Sequence, residues 1–283
     1  MKELFLSYTM YENYVICPLL YYWRYLKKRL SVILDHPQHR FLGIVWEDFL
    51  EAFYKGSKWR LRSEARAWSY EAVEKFFKVQ EEQLMVHWKD GEREEFLREA
   101  LRVADVILDT FKREALVTNE GLRIEEMLYA RLGPGEKIGG RLDFNMVKDG
   151  KPWVIDFKGT KHKNRKYIHD DQLYWYATVY NAVYGKLPAY LGFWMLRFGE
   201  IHWVNPSREV INDFLVRVKG VFASIRANEF PATPSVKGCQ WCMYRKQCES
   251  HDEFETNRPR KARPVLVEVS EDDGFGEGIS LDV

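Results

Sequence analysis

Hydrophobic and polar positions alternate along this chain with two different periods. Residues 9–30, TMYENYVICPLLYYWRYLKKRL, carry aromatic and aliphatic side chains at helical spacing, with Thr9 placed as an N-cap and Lys27 to Arg29 forming a basic last turn. Pro18 predicts the start of a second helical segment. Residues 41–55, FLGIVWEDFLEAFYK, predict an amphipathic helix with Val45, Phe49 and Phe53 on one side and Glu47 and Glu51 together at i,i+4. Residues 62–115 read as two helices broken near Asp90-Gly91, with no internal repeat, and this all-helical block is the expected insertion.

From residue 122 the period shortens to two: RIEEMLYARL, KIGGRLDFNMV, a turn at Lys148-Asp149-Gly150-Lys151, then PWVIDFKG. That is a β-meander, and its turn fixes the register between the strand of Asp143 and the strand of Asp156. Residues 169–184 return to helical period, 189–204 predict a strand pair around Gly199-Glu200, and 206–228 a further helix. The expected fold class is α/β (α+β), a mixed sheet flanked by helices, in one domain over residues 1–257. Residues 258–283, basic and then acidic and Gly-rich, are expected to be a disordered tail.

Charge changes the picture once it is divided by region. The 43 basic and 42 acidic side chains almost cancel, which excludes a uniformly basic coat for nucleic acid. Six of the acids (Glu268, Glu271, Asp272, Asp273, Glu277 and Asp282) fall after residue 267, where there is no Lys or Arg, so residues 1–267 carry +7. The tail is thus expected to compete weakly for a basic groove or to bind a partner. The N-terminal stretch is apolar but contains Glu3 and Glu12 and lacks an early basic region and a small-residue cleavage site, so it does not read as a signal peptide. With no apolar run near the roughly 18 residues needed to span a bilayer, a cytoplasmic protein without membrane contact is expected. There, four cysteines are metal or cluster ligands more readily than two disulfides.

Asp156-Phe157-Lys158 puts a carboxylate and an ammonium on one sheet face, and Asp143 lies on the adjacent strand of the hairpin. Paired carboxylates hold hard cations such as Mg²⁺ or Mn²⁺, and a nearby lysine can orient or help deprotonate a water attacking a phosphorus centre. Glu47 is a candidate third ligand. Alone, Asp-x-Lys is an ordinary strand ion pair that arises by chance about once in a chain of this length. The entry Gly140-Arg141-Leu142-Asp143, the 12-residue gap to Asp156 in the strand Val154-Ile155-Asp156-Phe157-Lys158, and the following helix with Gln172 and Tyr176 at i,i+4 make the set specific. From Lys158 to Lys166 five of nine residues are basic, including Lys161, Lys163, Arg165 and Lys166, and such a loop can hold phosphates without reading sequence. A solvated basic loop is the plainer reading of that run.

In that order, G-x-x-D, D-x-K and Q-x-x-x-Y resemble the PD-(D/E)xK nuclease superfamily, and within it the RecB-like branch. The resemblance implies a restriction-endonuclease-like core, Asp143 and Asp156 as metal ligands, the Phe157 backbone carbonyl as a further ligand and Lys158 as the catalytic lysine. It also implies that Gln172 and Tyr176 position the nucleic acid strand. Many members read G-x-x-x-His in the early helix, whereas the residue four after Gly43 here is Glu47, a departure read as a ligand swap.

Cys239, Cys242 and Cys248 form C-x2-C-x5-C, and Cys17 is the remaining cysteine. By ligand type four thiolates suit zinc or an iron-sulfur cluster about equally. One cysteine before the nuclease motifs and three after them is similar to the Cas-four family of CRISPR-associated nucleases and to AddB-type helicase-nuclease subunits. That resemblance implies a structural 4Fe-4S cluster held by the segments 9–30 and 236–250. The function expected is a Mg²⁺- or Mn²⁺-dependent deoxyribonuclease, an exonuclease on single-stranded DNA ends, with 5′ to 3′ polarity carried from the resemblance. Recombination, repair or CRISPR adaptation, with a protein partner from recombination or CRISPR adaptation, is the setting the resemblance implies. An endonuclease or trimming subunit of a larger complex, and a non-catalytic DNA-binding adaptor, are the alternatives.

Overall fold

A computed structural model describes residues 3–29, 37–116, 121–163, 168–240 and 242–257. The expected tail, 258–283, lies outside the described residues. The chain opens with strand β1 (Leu4–Ser7), then α1 (Tyr8–Ile16), α2 (Pro18–Tyr21) and a π-helical turn (Tyr22–Leu26). The cap of α1 is Ser7, whose hydroxyl accepts the Met10 N–H at 3.3 Å, rather than Thr9. The difference follows from β1: pairing of residues 4–7 with the sheet holds Ser7 extended, which is the backbone an N-cap requires. Pro18 starts α2 as expected, in the first turn where its missing N–H costs nothing.

Helix α3 (Pro37–Lys55) is followed by α4 (Ala65–Gln83) and α5 (Glu92–Arg113), which occupy the block expected to be an insertion, with Gly91 before α5 in the left-handed region. Then come β2 (Arg123–Gly133), β3 (Glu136–Lys148), β4 (Lys151–Lys158), α6 (Asp171–Tyr184), β5 (Tyr190–Met195), β6 (Glu200–Val204) and α7 (Arg208–Arg226). Two short helices, α8 (Val236–Gln240) and α9 (Glu249–Asn257), close the described chain. No described helix is long and apolar enough to cross a membrane.

The six strands form one mixed sheet in the order β1-β3-β4-β5-β6, with β2 on the other side of β3. β2, β3 and β4 are the expected antiparallel meander, while β1 runs parallel to β3 and β5 parallel to β4. Asp149 and Gly150 both have positive φ, the two-residue turn whose twist suits a hairpin, and Lys148 pairs with Lys151 across it. One face of the sheet is covered by α3, α4 and α5, burying Phe41, Trp46, Phe49, Phe77 and Ile107 against Phe144, Ile155, Phe157 and Trp194. The other is covered by α1, α6 and α7, burying Tyr11, Trp175, Phe214 and Phe222 against Ile138, Leu142, Val154 and Phe193.

Strand alternation breaks at one level of this sheet. Leu142 and Phe144 are two residues apart and should share a face, yet they pack in opposite layers; Ile124 and Leu128 of β2 are divided the same way. The register of β2 on β3 is unchanged across the break, from Ile124↔Phe144 to Glu126↔Leu142, so both strands turn over together. The residues between are Glu125, with φ of 54°, and Asp143. Irregularities of this kind re-aim a side chain and cluster at functional sites.

Candidate functional site

The β3–β4 ladder stops at Phe144↔Ile155, while β4 continues to Lys158 against β5. On this side of β3, among the described residues, 140–143 pair with neither β1 nor β4, so the sheet opens between Asp143 and Asp156. The Phe157 N–H, past the end of that ladder, donates to Asp143 Oδ2 at 2.8 Å. Phe157 thus touches Asp143 through its N–H. Asp156 and Lys158 point together from β4 toward α6, and their ion pair is 2.6 Å long. Helix α6 completes the arrangement: Lys158 donates to Gln172 Oε1 at 2.7 Å, and Gln172 Nε2 donates to Asp156 Oδ1 at 2.9 Å and to the Tyr176 hydroxyl at 3.1 Å. Gly140 admits the Tyr176 ring, since a Cβ there would stand 3.3 Å from it.

From the other layer α3 brings Glu47. Its approach depends on Gly159 at the end of β4, where a Cβ would lie 3.2 Å from the Trp46 ring and 3.3 Å from Gly43 Cα. Burial pushes the Glu47 carboxyl up to about 7, helped by the charges of Glu125 and Asp156 and opposed by Arg141 and Lys158. Burial and the Asp156 charge likewise hold Asp143 well above the usual carboxylate range, against the Phe157 N–H. Burial pulls the Lys158 ammonium down, but Asp156 and Asp143 more than offset it and the amine is held protonated.

Glu125 is a site residue that the sequence reading missed. It is half-buried, its carboxyl is raised by burial, and Arg141 pairs with it at 2.7 Å. Its electrostatic neighbours include Asp156 and Asp143. The Glu-Glu dipeptide at 125–126 gave no hint of this; the left-handed backbone that turns residue 125 inward is a tertiary feature. Of the basic loop, Lys161 lies 6.0 Å over the Phe96 ring and Lys163 pairs with Glu200 at 2.6 Å; Arg165 and Lys166 lie outside the described residues.

These donors fit a hard divalent cation. Carboxylate oxygens are its preferred ligands, and carboxyls crowded enough to raise one another are the arrangement a cation relieves. As oriented, Asp156 faces Lys158 and Asp143 faces Phe157, and among the described residues no three His, Cys, Asp or Glu side chains converge closely enough to hold an ion.

A second centre lies where the described ends of the chain meet. Cys17, between α1 and α2, Cys239 of α8, Cys242, and Cys248 just before α9 are all free thiols lining one cavity of about 30 Å³, walled by Ile16, Leu20, Trp23 and Pro234. The Ser235 N–H reaches Cys239 Sγ at 3.3 Å. Burial raises the Cys242 and Cys248 thiols, and backbone N–H groups of Tyr244 for the first and of His251 and Ser250 for the second oppose it. Thiols gathered on a small apolar cavity with N–H donors behind them fit a thiolate-ligated metal or cluster. The walls are tied independently of sulfur: Tyr14 donates to the Glu229 carbonyl at 2.6 Å, Thr233 to that of Ile16 at 3.0 Å, and Tyr244 to that of Arg29 at 3.1 Å.

Against known proteins, residues 5–249 match the family model described as the PD-(D/E)XK nuclease superfamily. A solved structure titled "Crystal structure of SSO0001" is similar at 14% identity and a TM-score of 0.34, with 69% of this chain and 82% of that chain covered. No curated protein matches the chain.

Proposed function

Because the chain belongs to the PD-(D/E)XK nuclease superfamily, whose members are metal-dependent nucleases, we propose that it is a Mg²⁺- or Mn²⁺-dependent deoxyribonuclease acting on single-stranded DNA ends. The observation that carries the proposal is the closed network Asp156–Lys158–Gln172 beside Asp143, at the level where the sheet opens. Asp143, Asp156 and Glu47 would hold the cation, with the Phe157 carbonyl as a further ligand. A cation there supplies Lewis-acid polarisation of the phosphodiester and a more acidic water. Lys158 holds a proton on Nζ and presents positive charge where the attacked phosphate gains negative charge. Gln172 fixes the Lys158 amine and the Asp156 carboxylate at one spacing, and Tyr176 fixes Gln172.

The test is degradation of end-labelled single-stranded DNA with Mn²⁺, beside a circular single strand. Loss of the linear substrate alone, abolished in Asp156→Ala and Lys158→Ala, is expected. Cutting of the circle would instead make it an endonuclease, and full activity in either variant would dismiss the site.

At the four cysteines we propose a structural 4Fe-4S cluster in preference to zinc. The reading is supported by Cys17 from the first helices and the C-x2-C-x5-C triplet from the last lining one cavity, the nesting of cysteines around the nuclease motifs from which the resemblance implies a cluster. Anaerobically purified protein should be brown and contain iron and acid-labile sulfide; colourless protein with stoichiometric zinc would refute this.

A further inference from the structure

We propose that the groove between the helical insertion and the loop after β4 is a binding track for a single DNA strand, holding the nucleotides next to the scissile phosphate. The assignment rests on the nuclease reading and gives the insertion, which no motif accounts for, a part in substrate binding.

The groove measures about 540 Å³, within the roughly 300–1,000 Å³ of clefts that hold small ligands, which is room for nucleotides of one strand. Helix α5 forms one wall with Phe96, Arg98 and Arg102; Lys161 and Arg197 form the other, and Leu42 of α3 joins them. It reaches the end of the strand that carries the proposed catalytic lysine, because Arg197 Nε donates to the carbonyl of Gly159 at 2.9 Å and Gly159 directly follows Lys158.

Its charge is that of a phosphate site. Four cations face two acids, Glu95 and Glu99, and Glu99 is itself held by both Arg102 and Arg197. Arg98 hydrogen-bonds the Glu94 carbonyl at 3.3 Å, an uncharged acceptor that leaves its positive charge to the groove. Arg98 and Arg102 are four residues apart, one helical turn, and so lie about 6 Å apart along the same face of α5. Opposite them, the Lys161 amine stands over the Phe96 ring. Cations spaced along a groove beside an aromatic ring are what an unpaired strand takes, through its phosphates and base faces, with no reading of sequence. The groove is also braced against the site, since the Arg197 guanidinium lies 4.8 Å over Trp46, on the same helix as Glu47.

The test is fluorescence anisotropy of a labelled 15-nucleotide oligothymidylate with the full chain in EDTA, over a range of salt, alongside cleavage in Mn²⁺. Arg98→Glu with Lys161→Glu should bind about tenfold or more weakly, and its slope of log affinity against log salt should be shallower by about 1.4, as for two lost phosphate contacts on a single strand. Arg98→Gln with Lys161→Gln should show the same change in slope with a smaller loss, which separates lost contact from misfolding. Lys219→Glu, at an exposed position of α7 across the sheet, should bind as the parent does. Parental affinity and slope in both double variants would overturn the track while cleavage by the parent left the nuclease reading standing. A parent that binds but does not cleave would overturn the nuclease reading and leave the variants to judge the groove; a parent that does neither would overturn both.

Discussion

Gln172 has no charge, yet it bridges the two charged groups on which the site depends, accepting from Lys158 and donating to Asp156. Gln172→Ala should therefore lower kcat about 10- to 100-fold with little change in KM, the usual cost of losing an orienting partner, as single-turnover cleavage would show. Glu47 sets a pH dependence. Its folded pKa of about 7 lies above the 4.5 of an ordinary glutamate, so between those values the folded chain keeps a proton that the unfolded chain has released. The stability of metal-free protein should then fall as pH rises through that window, and Glu47→Gln should flatten the trend in thermal melts. Cation affinity should move the other way, rising up to roughly tenfold per pH unit as the proton leaves. The proximity of Asp156, Lys158 and Gln172 was legible in the sequence because strand and helix periods convert spacing into proximity, and that of Asp143 because the hairpin register carries it opposite Asp156. Glu125 was not, because no local period predicts a glutamate in the left-handed region.

Between α3 and β4 the fit is tight at Gly159, where a Cβ would stand 3.2 Å from the Trp46 ring and 3.3 Å from Gly43 Cα. Gly159→Val should force the two elements apart and cost about 1–3 kcal/mol in urea unfolding. Activity should fall further than stability accounts for, since the displaced helix is the one that carries Glu47. The β3–β4 hairpin was readable because Asp149-Gly150 supplies a turn with one register. β1 was not: four residues running straight into a helix cannot show a period of two, and their parallel partner lies more than 130 residues away. The reversal of faces at Glu125 and Asp143 escaped for a related reason, since alternation assumes the regular pleat that these residues break.

At the scale of the molecule, two layers of helices grip one sheet, and the site lies where that sheet opens, drawing Glu47 from one layer and Gln172 from the other. The cysteine centre joins the two described ends of the chain and lies outside the opening. On the proposed cluster reading, Cys248→Ser should therefore lower iron content and melting temperature together, and any cleavage that survives should keep its metal requirement. A variant that lost its metal-dependent cleavage with iron and melting temperature intact would place the cysteines in the chemistry instead.

The hydrogen bond from Tyr14 to the Glu229 carbonyl spans 215 residues of sequence. At about 5–20 residues per second, synthesis leaves the first helices waiting roughly 10–45 s for the segment that covers them, with Tyr14 and Tyr21 lacking their ring partner Phe230. Gathering of the four cysteines thus waits for the last of them, Cys248. Until it is complete, the N-terminal aromatic surface is open to chaperones and proteases, and nascent chains halted before residue 229 should be cut first there.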